Sequence, residues 1–264
     1  MNTPLSHANT RVKEARKLSR RSVRTERRLF LADGPKAVEG ALTVPDCVVE
    51  VFATVKAADE YADLLADVSQ VWLVEDRAME SLSDSVSPAG VVAVCRFLDV
   101  PLVDVLRTSP TLVTVCADVR DPGNAGTVIR TSDAAGAQAV VLAGNSVDPY
   151  NPKTVRATVG SLFHLPVVRV DDPAEAVAML QQAGLTVLAA DGGGEDDLFT
   201  TDLAPATAWL FGNEAWGLPD VLAELADRRV SIPIHGRCRV SGSRAVSGGP
   251  GRRRRGRPQP RWRG

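Results

Sequence analysis

Three side chains could act together if the fold brings them to one place: Asn124, Arg130 and Glu214. A guanidinium stays protonated at any ordinary pH, so Arg130 cannot serve as a base. It can grip a phosphate through two N–H groups, or stabilise negative charge growing on an alkoxide oxygen. Asn124 adds a neutral hydrogen-bonding group. Glu214 lies in Phe211-Gly212-Asn213-Glu214-Ala215-Trp216-Gly217-Leu218-Pro219, where two glycines let backbone amides approach a ligand and a carboxylate could order the loop or the arginine. Each also has a plainer reading. Asn124 can cap a helix, Arg130 can be a surface cation on an amphipathic helix, and the Glu214 stretch can be an ordinary strand-to-helix turn.

The elements around these residues read strand, loop, helix, strand. The apolar run Leu112, Val113, Val115 ends at Asp118, as a buried parallel strand does where it meets solvent. Asp121-Pro122-Gly123-Asn124 is turn chemistry, with Asn124 placed to cap the helix that follows. That helix carries Val128 and Ile129 inward and closes at Gly136 before a second strand, Ala139–Leu142. The loop therefore sits at the carboxyl edge of a sheet, where open α/β folds place their ligands. Further strands fit Val167–Val170, Leu185–Ala190, Ala208–Phe211 and Val230–Ile234, with helices near 152–158, 173–183 and 218–226.

Upstream, Ala8–Arg21 reads as one helix, with Val12, Ala15 and Leu18 on a stripe. Arg24, Arg27 and Arg28 precede a short strand at Leu29–Leu31, and Pro35 opens a helix. Strands over Cys47–Ala53, Val71–Glu75 and Val91–Cys95, with a helix at Ala57–Ala66, complete a small α/β domain over residues 1–97. Residues 98–110 read as a linker, 111–237 as a second α/β domain and 238–264 as a tail.

Charge is distributed unevenly. The net of −1 hides ten cations and three acids in residues 1–36, eleven cations against 29 acids in 37–235, and ten arginines without an acid in 236–264. A basic front end on an acidic body points to an RNA contact near the N-terminus, where Arg24, Arg27, Arg28 and Lys36 lie. Its plainer reading is a solvated basic helix. Cys47, Cys95 and Cys116 sit in apolar runs and read as reduced core residues, His164 likewise as a core histidine, and no metal is expected. No apolar run reaches the ~20 residues of a membrane span, and the N-terminus lacks a secretory hydrophobic region. The expectation is a cytoplasmic protein that does not engage membranes.

Asp118 to Ala137 contains DPGNAGTVIRTSDAAGA, which resembles the first signature of the SpoU (TrmH-like) RNA ribose methyltransferases, a branch of the knotted SPOUT class. LFGNEAWGL (Leu210–Leu218) resembles the second signature, and VSIPIHG (Val230–Gly236) the start of the third. DPYNPKTVRATVGSLFHLPV resembles a substrate-facing segment of the same family, which makes Lys153, Arg156 and Ser161 candidate RNA contacts. RRLFLADGPKAVEGAL resembles an element of the family's RNA-binding domain, similar to ribosomal protein L30e, with Asp33 where that pattern more often has Glu. The resemblance implies an L30e-like α/β domain followed by a trefoil-knotted α/β domain with a mostly parallel sheet. It implies a homodimer formed through that second domain, and 2′-O-methylation of a ribose in structured RNA, ribosomal rather than transfer RNA. An alcohol is a weak nucleophile, so the ribose oxygen must be oriented and partly deprotonated. Arg130 carries the catalytic role by this resemblance, with Asn124 and Glu214 beside it. The cofactor implied is S-adenosylmethionine, lined by Leu188, Ala189 and Ala190, by Gly212, Asn213 and Gly217, and by Ile232 and Ile234. No GxGxxG follows a strand, and Asp191-Gly192-Gly193-Gly194 lacks a following Gly-Lys-Ser/Thr, so a generic nucleotide-phosphate site is disfavoured.

After VSIPIHGR the family pattern calls for Ala-Glu-Ser-Leu-Asn and an alanine-rich helix. The chain instead reads CRVSGSRAVSGGPGRRRRGRPQPRWRG, a Gly/Pro/Arg-rich composition expected to be disordered. Cys-Arg-Val-Ser can be encoded as TGC CGA GTC TCx, and the frame one base later gives Ala-Glu-Ser-Leu. A frameshift is the hypothesis that would account for the lost motif, and resequencing codons 236–242 tests it. If the tail is genuine, the alternative function is an RNA-binding protein of this family with impaired catalysis.

Overall fold

The computed structural model describes residues 3–232. Ile234, the end of the third signature and the Cys238–Gly264 segment lie outside the described residues. The chain opens with α1 (Thr10–Arg16), α2 (Arg21–Arg27), β1 (Leu29–Asp33) and α3 (Pro35–Leu42). It continues with β2 (Val48–Thr54), α4 (Val55–Glu60), α5 (Ala62–Leu65), β3 (Val71–Val74), α6 (Asp76–Leu82) and β4 (Val91–Arg96). The first sheet has the order β1-β4-β2-β3, antiparallel except for the β2–β3 pair.

After α7 (Leu102–Leu106) come β5 (Leu112–Ala117), α8 (Pro122–Ala134), β6 (Ala139–Ala143), α9 (Pro152–Thr158) and β7 (Val167–Val170). Then follow α10 (Pro173–Gln182), β8 (Thr186–Ala190), β9 (Asp196–Asp197), β10 (Thr207–Phe211), α11 (Asp220–Ala223) and β11 (Arg228–Ser231). The second sheet runs β7-β6-β5-β10-β8-β11-β9, and all its described pairings are parallel. Its strands are near-continuous Val, Leu, Ala and Cys because both faces are covered. From β5 the chain moves outward to β6 and β7, then crosses back to β8 and β10 on the other side. The crevice between the carboxyl ends of β5 and β10 is thus a topological switch point.

Alternate residues of each strand feed different cores. Leu31, Phe52, Val92 and Val94 face Val12, Leu18 and Met79 on the outer side of the first sheet. Phe30, Val51, Ala93 and Cys95 point the other way and join Cys116, Ile129, Val140, Tyr150 and Phe163 of the second half. The two sheets therefore share one continuous core, a feature that the linker reading did not foresee. Tyr150 ties the seam: its ring stacks on Phe97 at 3.9 Å and tilts against Phe30 at 4.7 Å. Its hydroxyl accepts from the Leu98 amide (2.7 Å) and donates to Asp99 (3.0 Å). Burial, with the Asp99 charge beside it, pushes the phenol well above its ordinary pKa. Gly40 serves the same seam, since a Cβ there would meet the Phe163 ring and the Gly160 carbonyl.

Several local expectations are corrected. The single helix over Ala8–Arg21 is broken: Lys17–Ser19 tightens to a 3-10 turn, Arg20 is extended, and α2 follows. The helix expected at Ala57–Ala66 divides at Tyr61. The supposed linker contains α7, which buries Leu102 and Val105. His164 is not in the core. Its side chain is half exposed, with Nδ1 2.7 Å from an Asp133 carboxylate oxygen. Cys47, Cys95 and Cys116 are buried free thiols.

Candidate active site

The β5 strand ends at Asp118, whose backbone turns into the left-handed region (φ 58°). Asp118 then anchors two neighbours: its side chain accepts from the Asn145 amide (2.7 Å) and its carbonyl from the Asn213 carboxamide (2.7 Å). Four residues later α8 begins. Its cap is Asp121 and not Asn124, a correction to the sequence reading: Asp121 Oδ1 accepts from the Asn124 amide at 2.9 Å. That amide, against the opposing effect of burial and with Lys153 adding to it, holds the Asp121 carboxyl below its ordinary pKa. Two residues in this turn can cap a helix, and the aspartate has Pro122 immediately after it at the first helical position. The Asn124 carboxamide is thereby left free for a ligand.

Glu214 supplies the second half of the frame. Its carboxylate accepts from the Asp121 amide (2.6 Å) and the Arg120 amide (3.3 Å), so it ties the loop after β10 to the loop after β5. Of the two roles open to it, ordering the loop is the one present. Asn213 and Gly217 exchange backbone hydrogen bonds at 3.0 and 2.8 Å, closing a small turn. A Cβ at Gly212 would run into the Gly217 carbonyl and the Leu218 amide, which is why glycine stands there. In Glu214→Ala two amides lose a charged acceptor, worth about 2 kcal/mol. We expect thermal unfolding to shift down by roughly 4–8 °C, with Glu214→Gln recovering about half. An unchanged melting temperature would mean the tie is not needed.

A cavity of about 280 Å³ opens between these loops. Its walls are Val119 from the end of β5, Asn124, Thr127 and Val128 from α8, Ala190–Gly192 after β8, Phe211, Gly212, Glu214 and Gly217 after β10, and Val230 and Ile232 from the end of β11. It is mainly apolar, near the small end of ligand sites, and its charged lining residues are two carboxylates, Asp191 and Glu214. Arg229 holds Asp191 at 2.5 Å. Among the described lining residues there is no lysine or arginine, so a ligand with a phosphate chain is poorly served. A largely apolar ligand without phosphates suits it better.

The structure brings together Asn124, Glu214, Ala190, Gly212, Gly217 and Ile232 from the expected site. Leu188 and Ala189 are corrected, because both side chains are fully buried inside β8 and only the strand's last residue reaches the cavity. Asn213 is corrected too. It is buried and spends its side chain on the Asp118 carbonyl and the Ala215 amide. Arg130 is exposed on α8 and does not line the cavity. Val119, Thr127, Asp191, Gly192 and Val230 were not foreseen, since they converge only when four strand ends align.

The expected RNA contacts divide in the same way. Arg24 is corrected to a structural residue, being 2 % exposed and paired with Asp148 at 2.6 Å. Ser161 is buried as well. Arg27 pairs with Glu14 (2.5 Å), Arg28 with Asp99 (3.2 Å) and Lys36 with Glu39 (2.7 Å), all on the surface. Arg156 crosses the seam to Asp84 (3.1 Å) and Asp33 (3.5 Å). Lys153 lies at the mouth of the site, 3.7 Å from Asp121. It reaches there because Gly126 lets α9 press against α8: a Cβ on Gly126 would strike Ala157 and the Thr154 carbonyl. Among the described residues, no group of three His, Cys, Asp or Glu could hold a metal, and no helix is long and apolar enough to cross a membrane.

Known proteins resemble this chain in sequence and in fold. The profile of the SpoU rRNA Methylase family matches residues 111–240, and that of the MRM3-like substrate binding domain matches residues 9–93. The 23S rRNA (guanosine(2553)-2′-O)-methyltransferase RlmP of Bacillus subtilis is 33% identical over 231 residues, 88% of this chain and 90% of that protein. An AdoMet-bound rRNA methyltransferase from Sinorhizobium meliloti superposes with a TM-score of 0.77 at 32% identity, covering 90% of this chain and 91% of that one. The SpoU methyltransferase AviRb from Streptomyces viridochromogenes, in complex with AdoMet, gives 0.78 at 29% identity over 89% and 92%. With the family profile over residues 111–240 and a relative 33% identical across most of both chains, the chain belongs to the SpoU family of rRNA methylases.

Proposed function

We propose that the protein is an S-adenosylmethionine-dependent RNA methyltransferase that modifies a ribose 2′-hydroxyl of ribosomal RNA. The observation that carries this reading is the cavity at the switch point, apolar and glycine-framed, with Asp191 and Glu214 as its charges. RlmP is named for 23S rRNA and the Sinorhizobium meliloti protein for rRNA, which supports ribosomal over transfer RNA. The residues present fit the cofactor. Val119, Val128, Phe211 and Ile232 offer apolar walls, and the Gly212 and Gly217 backbones admit a close-fitting ligand. When bound, S-adenosylmethionine supplies an electrophilic methyl group on a sulfonium.

The chain's own residues have to hold and polarise the nucleophile. Asn124, free of capping duty, stands at the cavity wall and can hydrogen-bond a ribose hydroxyl. Glu214 keeps the Arg120–Asp121 loop in place around it. Arg130 supplies positive charge for a developing alkoxide or for the neighbouring phosphate. Lys153, Arg156, Arg27, Arg28 and Lys36 offer phosphate contacts along the RNA. We place the enzyme in the cytoplasm, with ribosomal RNA, and as a homodimer through its second half. Phe199 (79 % exposed), Val221 (76 %) and Leu225 are exposed apolar side chains of that half, which supports association there.

Calorimetric titration with S-adenosylmethionine, followed by tritiated-methyl transfer to unmodified 23S rRNA transcript, tests the proposal. Micromolar binding and alkali-stable label at one nucleotide are the expected results. A folded chain that binds no cofactor would leave the alternative, an RNA-binding relative that has lost catalysis. Sedimentation as a monomer at micromolar concentration would sink the dimer.

A further inference from the structure

The turn after β10 presents a tryptophan that the fold does not use. Trp216 is 55 % exposed, at the tip of a turn closed by the two Asn213–Gly217 backbone bonds and by the Ala215 amide on Asn213. The other described tryptophans are absorbed. Trp72 donates its indole N–H to Glu50 at 2.9 Å, and Trp209 stacks on Phe211. Trp216 instead carries the Arg120 guanidinium 5.0 Å above its ring. Glu214, two residues before Trp216, accepts the Arg120 amide, so the two side chains stand on loops that are tied together. A large flat apolar side chain fixed in water, with a cation stacked on it at the rim of the cavity, has the composition that single-stranded RNA sites use. The ring offers stacking to any base, and the guanidinium offers charge to its phosphate.

We propose that Trp216 and Arg120 form a stacking platform for an unpaired nucleobase of the substrate RNA, at or next to the methylated nucleotide. The proposal rests on the methyl-transfer reading for which RNA is bound, and adds the site at which that RNA is gripped beside the cavity. An unpaired base suits this geometry because a ribose can approach a recessed site only if its base leaves the helical stack, which costs unstacking energy. A second aromatic surface at the rim offsets part of that cost. The described lining of the cavity offers a phosphate no lysine or arginine, so Arg120 and Lys153 beside it are where a backbone would settle.

The test compares wild type, Trp216→Ala, Trp216→Phe and Arg120→Ala in filter binding to 23S rRNA transcript over a range of salt, with S-adenosylmethionine affinity by calorimetry as a parallel readout. Trp216→Ala should weaken RNA binding about tenfold with the salt slope unchanged and cofactor affinity within twofold. Trp216→Phe should recover most of that loss. Arg120→Ala should lower the salt slope by about one. RNA affinity unchanged in Trp216→Ala overturns the platform. So does an equal loss of cofactor affinity, which would make the ring a prop for the loop. A shift in sedimentation without a change in RNA binding would assign the ring to contact between copies of the chain, and also overturns it. A wild type that binds RNA but transfers no methyl would sink the enzymatic reading, while the Trp216→Ala comparison would still decide the platform. A wild type that does not bind the transcript overturns both.

Discussion

Asp148→Ala is expected to cost about 3–5 kcal/mol of stability, enough to lower the melting temperature by roughly 6–20 °C. The reason is the company Arg24 keeps. Its Nε and Nη2 both reach one Asp148 oxygen, at 3.1 and 2.6 Å, while Nη1 donates to the carbonyls of Leu18 and Ser19. The other Asp148 oxygen accepts from the Tyr150 amide. Arginine and aspartate are 2 % and 6 % exposed, so neither is screened by solvent and neither can be left alone cheaply. Removing Asp148 leaves a guanidinium in the interior with backbone acceptors but no counter-charge. Removing both charges with apolar residues of similar volume, Arg24→Met with Asp148→Leu, should be far milder than either single truncation. Scanning calorimetry decides this, and a double variant as unstable as Asp148→Ala would refute the account. Because the two sheets share the core around Phe30, Tyr150 and Ile129, unfolding should also be one transition. Two resolved endotherms would contradict that.

What could be read beforehand followed from local pattern. β5, β6, β8 and β10 are predominantly apolar runs with only isolated threonines, the pattern of strands buried on both faces of a parallel sheet. The Gly-Asn-Glu and Pro-Gly-Asn stretches gave the loops, and with them Asn124, Glu214, Gly212 and Gly217. What stayed hidden depends on partners distant in the chain. Arg24 looks like its neighbours Arg27 and Arg28, and only Asp148, 124 residues away, makes it an interior residue. α2, α6 and α7 are five to seven residues long, too short to show a helical period. Leu188 and Ala189 were assigned to the cavity with Ala190 because a sequence does not say where along a strand the sheet ends. His164 sits in an apolar stretch but follows a 3-10 turn, which swings it out to Asp133.

Arg130→Ala should reduce the rate of methyl transfer at saturating RNA by about 10²–10³-fold, the usual cost of losing one donor that faces developing charge. Little else should change. Arg130 is exposed, and among the described residues no hydrogen bond or ion pair holds it, so the melting temperature should stay within about 1 °C. It follows the lining residue Thr127 by three positions, which at about 100° per residue places it beside the cavity face of α8 and just outside the wall itself. Cofactor affinity should therefore be untouched, whereas Gly212→Ala, which forces a Cβ into the Gly217–Leu218 backbone, should abolish it. Lysine at 130 separates two ways in which the guanidinium could act. Retention of rate with a higher KM would mean that a point charge on the RNA phosphate suffices, whereas loss of rate equal to that of alanine would mean that the planar, bidentate fork is required. Undiminished transfer by Arg130→Ala would remove the residue from the mechanism and leave Asn124, at the cavity wall, as the group that orients the hydroxyl.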